Sequence, residues 1–495
     1  MFKRKHPQKL RLFFLLLAIL TTASGPPPDS QNNQVRIPDP ETLQNLFHPY
    51  QTDSEPGCAT AVYQQGTLAT HTAIGLANLD YAIPLSDSTA FYMASVSKQV
   101  TAAAAGLLIV RGQLDPDALV SNYLDHWPQW AAAVTVSRLF DHTSGLPDLY
   151  ALMHMAGIAI NNPMDTDDYL SVIYRGESLT HRPGARYSYT NSGYTVLVKL
   201  IETITETDFS VFVQRELFEP LGMHQSTFHN NRYRIIANRA LSYAPTTDST
   251  TPQTTPPSTS QAFPPRTGGP EQPPFRLRYP GNFQGVGPGG LYSTLQDWQH
   301  WEAFWNGSNV PDPEYESLRT LLLERLASGV RTRNGEGLYG WGLERHIWQG
   351  LETHMHQGSF MGFRSHQMRF PQQQVALLTL CNREDADPYV WNQRLARHIL
   401  ESLFGAYLRD YTGIYENSEL QVRYEVRVEN SELILDRRLP PQGRLTEIAP
   451  DRWEIGSMDI VFQRDASGTV TGLTVTMDRA QNVHFRRVQM DVLVE

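Results

Sequence analysis

The stretch SVSK places a hydroxyl and an amine three residues apart, in Ser95 and Lys98. The run from Ala102 to Val110 that follows is rich in alanine and leucine and is typical of a buried helix. Residues three apart share one helix face, so the two groups are expected to be neighbours. A buried lysine with a lowered pKa can take the serine proton and so create a nucleophile. The alternative is structural: a helix-capping serine followed by a lysine whose amine extends to solvent.

A second pair of reactive side chains lies in the stretch YSYTN, where Tyr189 and Asn191 are two residues apart. In an extended segment this spacing points both side chains to the same side. Tyr189 could then pass a proton to a leaving group, and Asn191 could bind a substrate amide. The alternative is a half-buried tyrosine beside a turn asparagine.

A third stretch, HQGSF, has the composition of a strand that lines a cleft, with His356, Gly358 and Ser359. A glycine there leaves room for a substrate backbone alongside the strand. The backbone N–H groups of Ser359 and Ser95 would then form a pair of donors for an oxyanion. The alternative for His356 is an ordinary core or surface histidine.

The blocks SVSK, YTN and HQG follow the order of S-x-x-K, Y-x-N and the K-T-G-like triplet, and together they resemble the serine β-lactamase-like hydrolases. Flanking stretches such as LFDHTSGLPD, RPGARYSYTNSGY and GPGGLYSTLQDW are also similar to that family. The resemblance implies an acylated Ser95, Lys98 as general base, Tyr189 as the catalytic tyrosine and Asn191 at the substrate amide. It also implies an α/β (α+β) fold, in which a central antiparallel sheet and a helical subdomain enclose the cleft.

The third block departs from the family by having His356 where lysine is usual, at a position near the substrate carboxylate. A histidine is mostly neutral at neutral pH and binds a carboxylate less well than lysine does. We therefore expect an acyl hydrolase for a small ester or a D-amino-acid-type amide or peptide. The alternatives are a true β-lactamase or D,D-carboxypeptidase, and a non-catalytic module that binds penicillin or peptidoglycan fragments.

The chain has only two cysteines, Cys58 and Cys381, which excludes a disulfide-dense scaffold and an all-cysteine zinc site. From the residues alone, a disulfide bridge and two buried free thiols are equally possible. The family fold places the first strand beside the last, which implies that the two cysteines lie close together. We then expect their Cα atoms to be about 4.4–6.8 Å apart, the range of a disulfide.

The chain is expected to divide into four segments, the third of them carrying an insertion, by composition and by the resemblance. Residues 1–24 have the basic start, short apolar run and small residues of a signal peptide for export to the periplasm or the outside; an uncleaved membrane anchor is the alternative. Residues 25–40 are a linker, and 41–405 the catalytic domain. A Thr/Pro-rich insertion at about 246–276 is expected to be disordered. Residues 408–495 alternate apolar and polar residues as a small all-β, barrel-like domain does.

The net charge of −10 argues against a general nucleic-acid binder. No metal-binding spacing is evident, and no cofactor is expected; the expected partner is a small molecule or short peptide, and the sequence does not indicate an oligomeric state. Glycines at 285, 287 and 290 fit a nucleotide-binding pattern, but Pro288 interrupts it, which favours a loop at the edge of the cleft. His142 is interpreted as a structural residue of a turn that the resemblance to the family implies, and Asp141 and Asp148 as turn and cap residues.

Overall fold

The computed structural model describes residues 35–47, 52–160, 162–246, 274–278, 283–333, 337–429, 432–438, 440–449 and 451–488. The predicted signal peptide, the first ten residues of the predicted linker and the insertion between 247 and 273 lie outside these residues.

The central sheet of the catalytic region is antiparallel, and its eight strands lie in the order β10-β11-β12-β13-β14-β15-β1-β2. The first hairpin forms where Gln65 and Gly66 both adopt positive φ, as a tight two-residue turn requires. β1 is buried along almost its whole length because it lies between β15 and β2. The strands of this region are β1 Cys58–Gln64, β2 Thr67–Ile74, β3 Leu76–Asn78, β4 Ile83–Pro84, β5 Phe91–Tyr92, β6 Thr227–Phe228, β7 Ser242–Pro245, β8 Phe275–Arg278, β9 Leu291–Ser293, β10 Val330–Arg331, β11 Gly337–Gly340, β12 Leu343–Trp348, β13 Leu351–Phe360, β14 Phe363–Phe370 and β15 Val375–Cys381.

The helices cover both faces of this sheet, and the apolar run after Lys98 forms the buried helix that the sequence predicts. Its side chains are buried all round because it packs against two further helices, α6 and α10. The helices are α1 Pro40–Leu46, α2 Lys98–Val110, α3 Ser137–Phe140, α4 Leu149–Met155, α5 Thr166–Tyr174, α6 Asn191–Thr205, α7 Phe209–Val213, α8 Glu219–Leu221, α9 Leu295–Asn306, α10 Pro313–Ala327, α11 Pro388–Ile399 and α12 Glu401–Asp410, with 3₁₀ turns at Ala94–Ser97, Val120–Asn122 and Gln129–Ala131 and a π turn at Gln214–Phe218.

A disulfide joins Cys58, the first residue of β1, to Cys381, the last residue of β15. The two residues face each other in the antiparallel register, and their Cα atoms are 4.1 Å apart. This separation is slightly shorter than the expected range. The disulfide therefore links the first and the last strand, in chain order, of the central sheet.

The C-terminal strands form an antiparallel barrel, which agrees with the predicted all-β domain. The segment 443–449 closes it, because its first part pairs with β18 and its second part with β21. The core includes Tyr415, Leu433 and Trp453. The strands are β16 Gly413–Asn417, β17 Val422–Glu429, β18 Glu432–Asp436, β19 Gly443–Arg444, β20 Thr446–Ala449, β21 Arg452–Ile455, β22 Met458–Arg464, β23 Val470–Met477 and β24 Ala480–Val488.

The predicted boundaries need three adjustments. The end of the linker packs on the catalytic region, where the Arg36 N–H donates to the Ile399 carbonyl and α1 begins at Pro40. The strand β8 begins at residue 275, inside the last residues of the predicted insertion. The predicted change of domain at 405–408 falls within α12, whose Phe404 belongs to the core under α11 and whose Leu408 belongs to the barrel core.

Among the described residues, none of the helices has the length and apolar character needed to cross a membrane. Within the same ranges, no group of three or more histidine, cysteine, aspartate or glutamate side chains is placed to hold a metal ion.

Candidate active site

Ser95 stands on a 3₁₀ turn, Ala94–Ser97, directly before α2. Ala94 has a φ of +46°, a left-handed conformation that an alanine adopts only at a cost. Two hydroxyl groups hold the turn: Ser97 donates to the Ala94 carbonyl at 2.6 Å, and Ser365 of β14 donates to the Met93 carbonyl at 2.8 Å. The turn thereby leaves Ser95 half-buried at a cleft, instead of capping the helix.

The Lys98 amine is fully buried and has three oxygen neighbours, which contradicts the solvent-exposed alternative. Nζ lies 3.0 Å from Ser95 Oγ, 3.0 Å from Asn191 Oδ1 and 2.9 Å from the Pro288 carbonyl oxygen. A neutral amine has two N–H groups and one lone pair. Because the amide and the carbonyl can only accept, they take the two N–H groups and leave the lone pair facing the serine hydroxyl.

Burial is also the main reason why the pKa of Lys98 falls to about 7, although the Asp148 carboxylate opposes the decrease. A substantial fraction of the amine is therefore neutral near neutral pH. The position of Nζ and its pKa together suit a base that takes the Ser95 proton.

Asn191 is held in its orientation by Asp148. The Asp148 Oδ2 atom accepts both from the Asn191 backbone N–H at 2.8 Å and from its Nδ2 at 2.9 Å. The other oxygen, Oδ1, caps α4, as the sequence predicts. Asn191 is the first residue of α6 and not part of an extended segment. Its amide oxygen is thus directed at Lys98, while its amide nitrogen is shared with Asp148.

Tyr189 lies beside the same amine, with its ring centroid 4.8 Å from Lys98 Nζ. The residue as a whole is 38 % exposed because part of it lines the open cleft, while the phenol hydroxyl lies beside the buried amine. Its surroundings raise the pKa of Tyr189, chiefly through burial, and a hydrogen bond with Ser95 partly offsets that increase. The hydroxyl and amine of one stretch and the phenol of a distant second stretch therefore converge on one site.

The His142 ring packs against the ring of Tyr189. Its ring centroid lies 4.2 Å from that of Tyr189, and its Nδ1 accepts from the Thr190 N–H at 3.2 Å. Burial holds the pKa of His142 well below its usual value, so the ring is neutral. His142 has a φ of +58°, which agrees with its interpretation as a turn residue.

His356 lines the cleft but is buried and neutral. Burial, with the nearby Lys98 charge, lowers the pKa of His356 to about 4. Nδ1 lies 2.7 Å from the Gln357 carbonyl, so this nitrogen carries the proton and Nε2, 3.2 Å from the Tyr339 hydroxyl, accepts. The ring therefore offers no positive charge to a substrate carboxylate.

Gly358 and Ser359 follow on β13, and the reason for the glycine differs from the predicted one. A Cβ on Gly358 would lie 2.3 Å from Ser365 Oγ and 2.6 Å from the Met93 carbonyl oxygen. The glycine therefore lets β13 approach the turn of the nucleophile, rather than making room for substrate. Ser359 is exposed at the cleft.

The cleft has a volume of about 1030 Å³, and its charges are unevenly distributed. The arginines among its described lining residues, Arg278 and Arg364, both face Glu384, at 3.0 and 3.8 Å. Glu344 lies near Tyr189 and His356 and hydrogen bonds with His346 at 2.8 Å. Burial acts to raise the pKa of Glu344, but this bond and the nearby histidines outweigh it and lower the pKa.

Sequence reasoning missed three contributors to the site. The Pro288 carbonyl binds Lys98, and it belongs to the glycine-containing loop that was correctly expected at the cleft edge. Asp148 has a second role at Asn191, and Glu344 places a carboxylate in the cleft. The stretch LPD could have suggested Asp148, but a carbonyl contact and a lone glutamate leave no signal in a single sequence.

The chain is similar to known proteins over most of its length. Residues 43–400 match the family model described as Beta-lactamase. A D-aminopeptidase of Gluconobacter oxydans (strain 621H) is 27% identical over 428 residues, which are 83% of this chain and 73% of that protein.

Two solved structures share the fold. The octameric penicillin-binding protein homologue from Pyrococcus abyssi has a TM-score of 0.57 and 18% identity, covering 88% of this chain and 96% of that chain. The D-amino acid amidase from Ochrobactrum anthropi SV3, complexed with L-phenylalanine, has a TM-score of 0.56 and 21% identity, covering 74% of this chain and 98% of that chain. The chain thus belongs to the Beta-lactamase family and is a serine hydrolase of that family.

Proposed function

We propose that this hydrolase cleaves short amides or peptides that carry a free amino group, of the D-amino-acid type, through an acyl-enzyme on Ser95. The observation that carries the proposal is the lone pair of Lys98, which faces Ser95 Oγ at 3.0 Å while two acceptors hold its N–H groups.

In the proposed reaction, Ser95 Oγ attacks the substrate carbonyl carbon and its proton passes to Lys98 Nζ. The backbone N–H groups of Ser95 and Ser359 donate to the oxyanion of the tetrahedral intermediate. The C–N bond then breaks, and the leaving amine takes a proton that is relayed from Lys98 through the Tyr189 hydroxyl. Water attacks the resulting ester by the same route, which releases the acid and restores Ser95.

The charges of the cleft support a substrate with an ammonium group. Glu344 supplies a carboxylate near Tyr189 and His356, whereas the two cleft arginines already face Glu384. A substrate recognised by its carboxylate would instead need an available cation, and His356 is neutral. This contrast disfavours the β-lactamase and D,D-carboxypeptidase alternatives. The preference for a D residue draws on the likeness to the D-aminopeptidase.

Export remains part of the proposal. The basic and apolar N-terminal segment is one support. The bridge between Cys58 and Cys381 is the other, since disulfides persist mainly in oxidising compartments. Fractionation of the source cells should place the protein outside the cytoplasm; recovery of the full-length chain only in the cytosol would oppose export.

The function is tested by comparing D-alanine p-nitroanilide, its L enantiomer, p-nitrophenyl acetate and a chromogenic cephalosporin on the purified protein. We expect the D-anilide and the ester to be cleaved. Ser95→Ala should abolish both activities, whereas Ser317→Ala, which changes an exposed serine of α10, should leave them unchanged. Full activity in Ser95→Ala would end the assignment, and failure of every substrate to acylate the protein would favour the binding-module alternative.

The ammonium subsite is tested separately with Glu344→Gln. The loss of one charged contact is expected to raise KM for the D-anilide about ten- to a hundredfold. Hydrolysis of p-nitrophenyl acetate, which has no amino group, should change little. Equal effects on both substrates would mean that Glu344 supports the site structurally and does not recognise an amine.

A further inference from the structure

A second cavity lies between the catalytic region and the barrel, away from Ser95. This junction cavity has a volume of about 420 Å³ and is lined by β12, α11 and the barrel strands β18 to β21. Its polar side chains include Gln349, Arg397, Arg444, Glu447 and the indole of Trp453. Nothing in the proposed hydrolysis uses these residues.

Arg397 gives the junction cavity a cation that no carboxylate neutralises directly. Its guanidinium lies over the Trp348 ring at 5.4 Å, and it makes neither a hydrogen bond nor an ion pair with any residue in the described part of the chain. The other arginine, Arg444, is bound to Glu432 at 3.1 Å. Burial is the main cause that lowers the pKa of Arg397, and the Arg444 charge adds to it, while the more distant carboxylates of Glu432 and Glu447 oppose the decrease. A guanidinium presents a planar pair of donors that matches a carboxylate.

Two buried side chains of the same cavity also have polar atoms without a partner in the described structure. Trp453 is 2 % exposed and its indole N–H donates to no acceptor; Gln349 is 6 % exposed and its Oε1 accepts from no donor. Gln349 is at the tip of the β12–β13 hairpin, and its backbone N–H donates to Glu447 of the barrel at 3.1 Å. Buried polar groups normally have partners, so both atoms call for a ligand or ordered water.

From these groups we propose that the junction cavity binds a free amino acid or dipeptide. The carboxylate of this ligand pairs with Arg397, and its ammonium group donates a hydrogen bond to Gln349 Oε1. The unpaired guanidinium and indole N–H require an acceptor on the ligand, and the unpaired amide oxygen requires a donor. A simple inorganic anion satisfies only the first requirement. The apolar lining from Trp348 and Leu433 and the volume suit a small organic molecule.

The junction cavity adjoins the catalytic cleft. Tyr389 lines both cavities, and His346 of the junction cavity hydrogen bonds with Glu344 of the cleft. The proposal does not depend on the reaction, because the carboxylate, the amine and their partners are independent of Ser95.

The test is calorimetric titration of the full-length Ser95→Ala protein, which cannot turn over, with D-alanine, L-alanine, D-alanyl-D-alanine, acetate and methylammonium. We expect saturable binding of at least one of the three probes that carry both a carboxylate and an amino group, and weaker binding of acetate and methylammonium. Adding Arg397→Gln should weaken that binding at least about tenfold. Arg394→Gln, which removes an exposed arginine of the same helix, should leave it unchanged. Trp453→Phe should weaken it by less.

Two results would overturn the proposal: no binding of any probe, or equal affinity in the Arg397→Gln and Arg394→Gln proteins. Binding that Glu344→Gln abolishes and Arg397→Gln does not would assign the ligand to the catalytic cleft instead. If Arg397→Gln does not fold, Arg397→Lys keeps the charge without the planar donor pair, and it should still weaken binding of the carboxylate.

Discussion

The Asp148 carboxylate is expected to set both the orientation of Asn191 and the proton affinity of Lys98. Asp148→Asn tests both roles at once. The variant removes the negative charge, and it also replaces one accepting oxygen by an N–H donor. Either the two hydrogen bonds from Asn191 or the cap of α4 must then be lost.

The size of the effect on Lys98 follows from the short connection between the two charges. Only the Asn191 amide stands between the amine and the carboxylate, so the two groups lie no more than roughly 8 Å apart; at that limit and an effective dielectric constant near 20 their attraction is about 2 kcal/mol. This attraction stabilises the ammonium form and raises the pKa of Lys98. Its removal should lower the pKa by about 1.5, at 1.36 kcal/mol for each unit.

The assay is the pH dependence of kcat/KM for p-nitrophenyl acetate, which carries no charge of its own. Activity of the wild type should rise with pH through about 7, because Lys98 must be neutral to act as a base. In Asp148→Asn this limb should move to lower pH by about 1 to 1.5 units, while the plateau falls about ten- to a hundredfold because Asn191 is no longer held.

The control for a purely structural effect is Asp312→Ala, which removes the side-chain cap of α10. It should lower stability without moving the limb. An unchanged limb in Asp148→Asn, or a limb that moves to higher pH, would refute the electrostatic reasoning.

Three further predictions follow from the described contacts. Between pH 7 and about 10.5, Lys98 keeps its proton in the unfolded chain but has released it in the folded protein. The unfolding free energy of the wild type, measured by denaturant titration, should therefore rise with pH relative to that of Lys98→Met, by up to about 1.4 kcal/mol per pH unit. A difference between the two proteins that does not change with pH would contradict the lowered pKa. Replacing Cys58 and Cys381 together by serine should lower the unfolding free energy by about 2–5 kcal/mol, and free-thiol titration of the native protein should find none. Gly358→Ala should cost about 1–3 kcal/mol in stability and reduce kcat more than KM, because the new Cβ pushes against the Met93 carbonyl under the nucleophile's turn; normal kcat would show that the turn can adjust.

The central pair of the site could be predicted from the residues because its signal is local, whereas the α+β fold of the catalytic region came from the resemblance to a family. The spacing of Ser95 and Lys98 within a helical run fixes their proximity, whatever the rest of the chain does. The alternating residues after 408 predict a β domain for the same reason. The convergence of Tyr189 on that pair could not come from local pattern, and it depended on the resemblance to a family.

What escaped prediction depends on contacts between distant parts of the chain that leave no residue preference. Any residue type can offer the carbonyl that Pro288 presents to Lys98, and nothing near Glu344 marks it as a cleft residue. Gly358 lines the cleft, but the reason for its small size lies in Met93 and Ser365, from two other elements. The junction cavity likewise needs the barrel to be docked before Arg397 acquires a role.

The bridge between Cys58 and Cys381 has a consequence for how the molecule tolerates cleavage of its backbone. A protease that cuts once between these residues, for example in the segment 247–273, produces two fragments that stay covalently joined. The first fragment carries Ser95, Lys98 and Tyr189, and the second carries His356 and Ser359. Such a nicked molecule should migrate as one species in a non-reducing gel and as two after reduction, because the disulfide still joins β1 to β15.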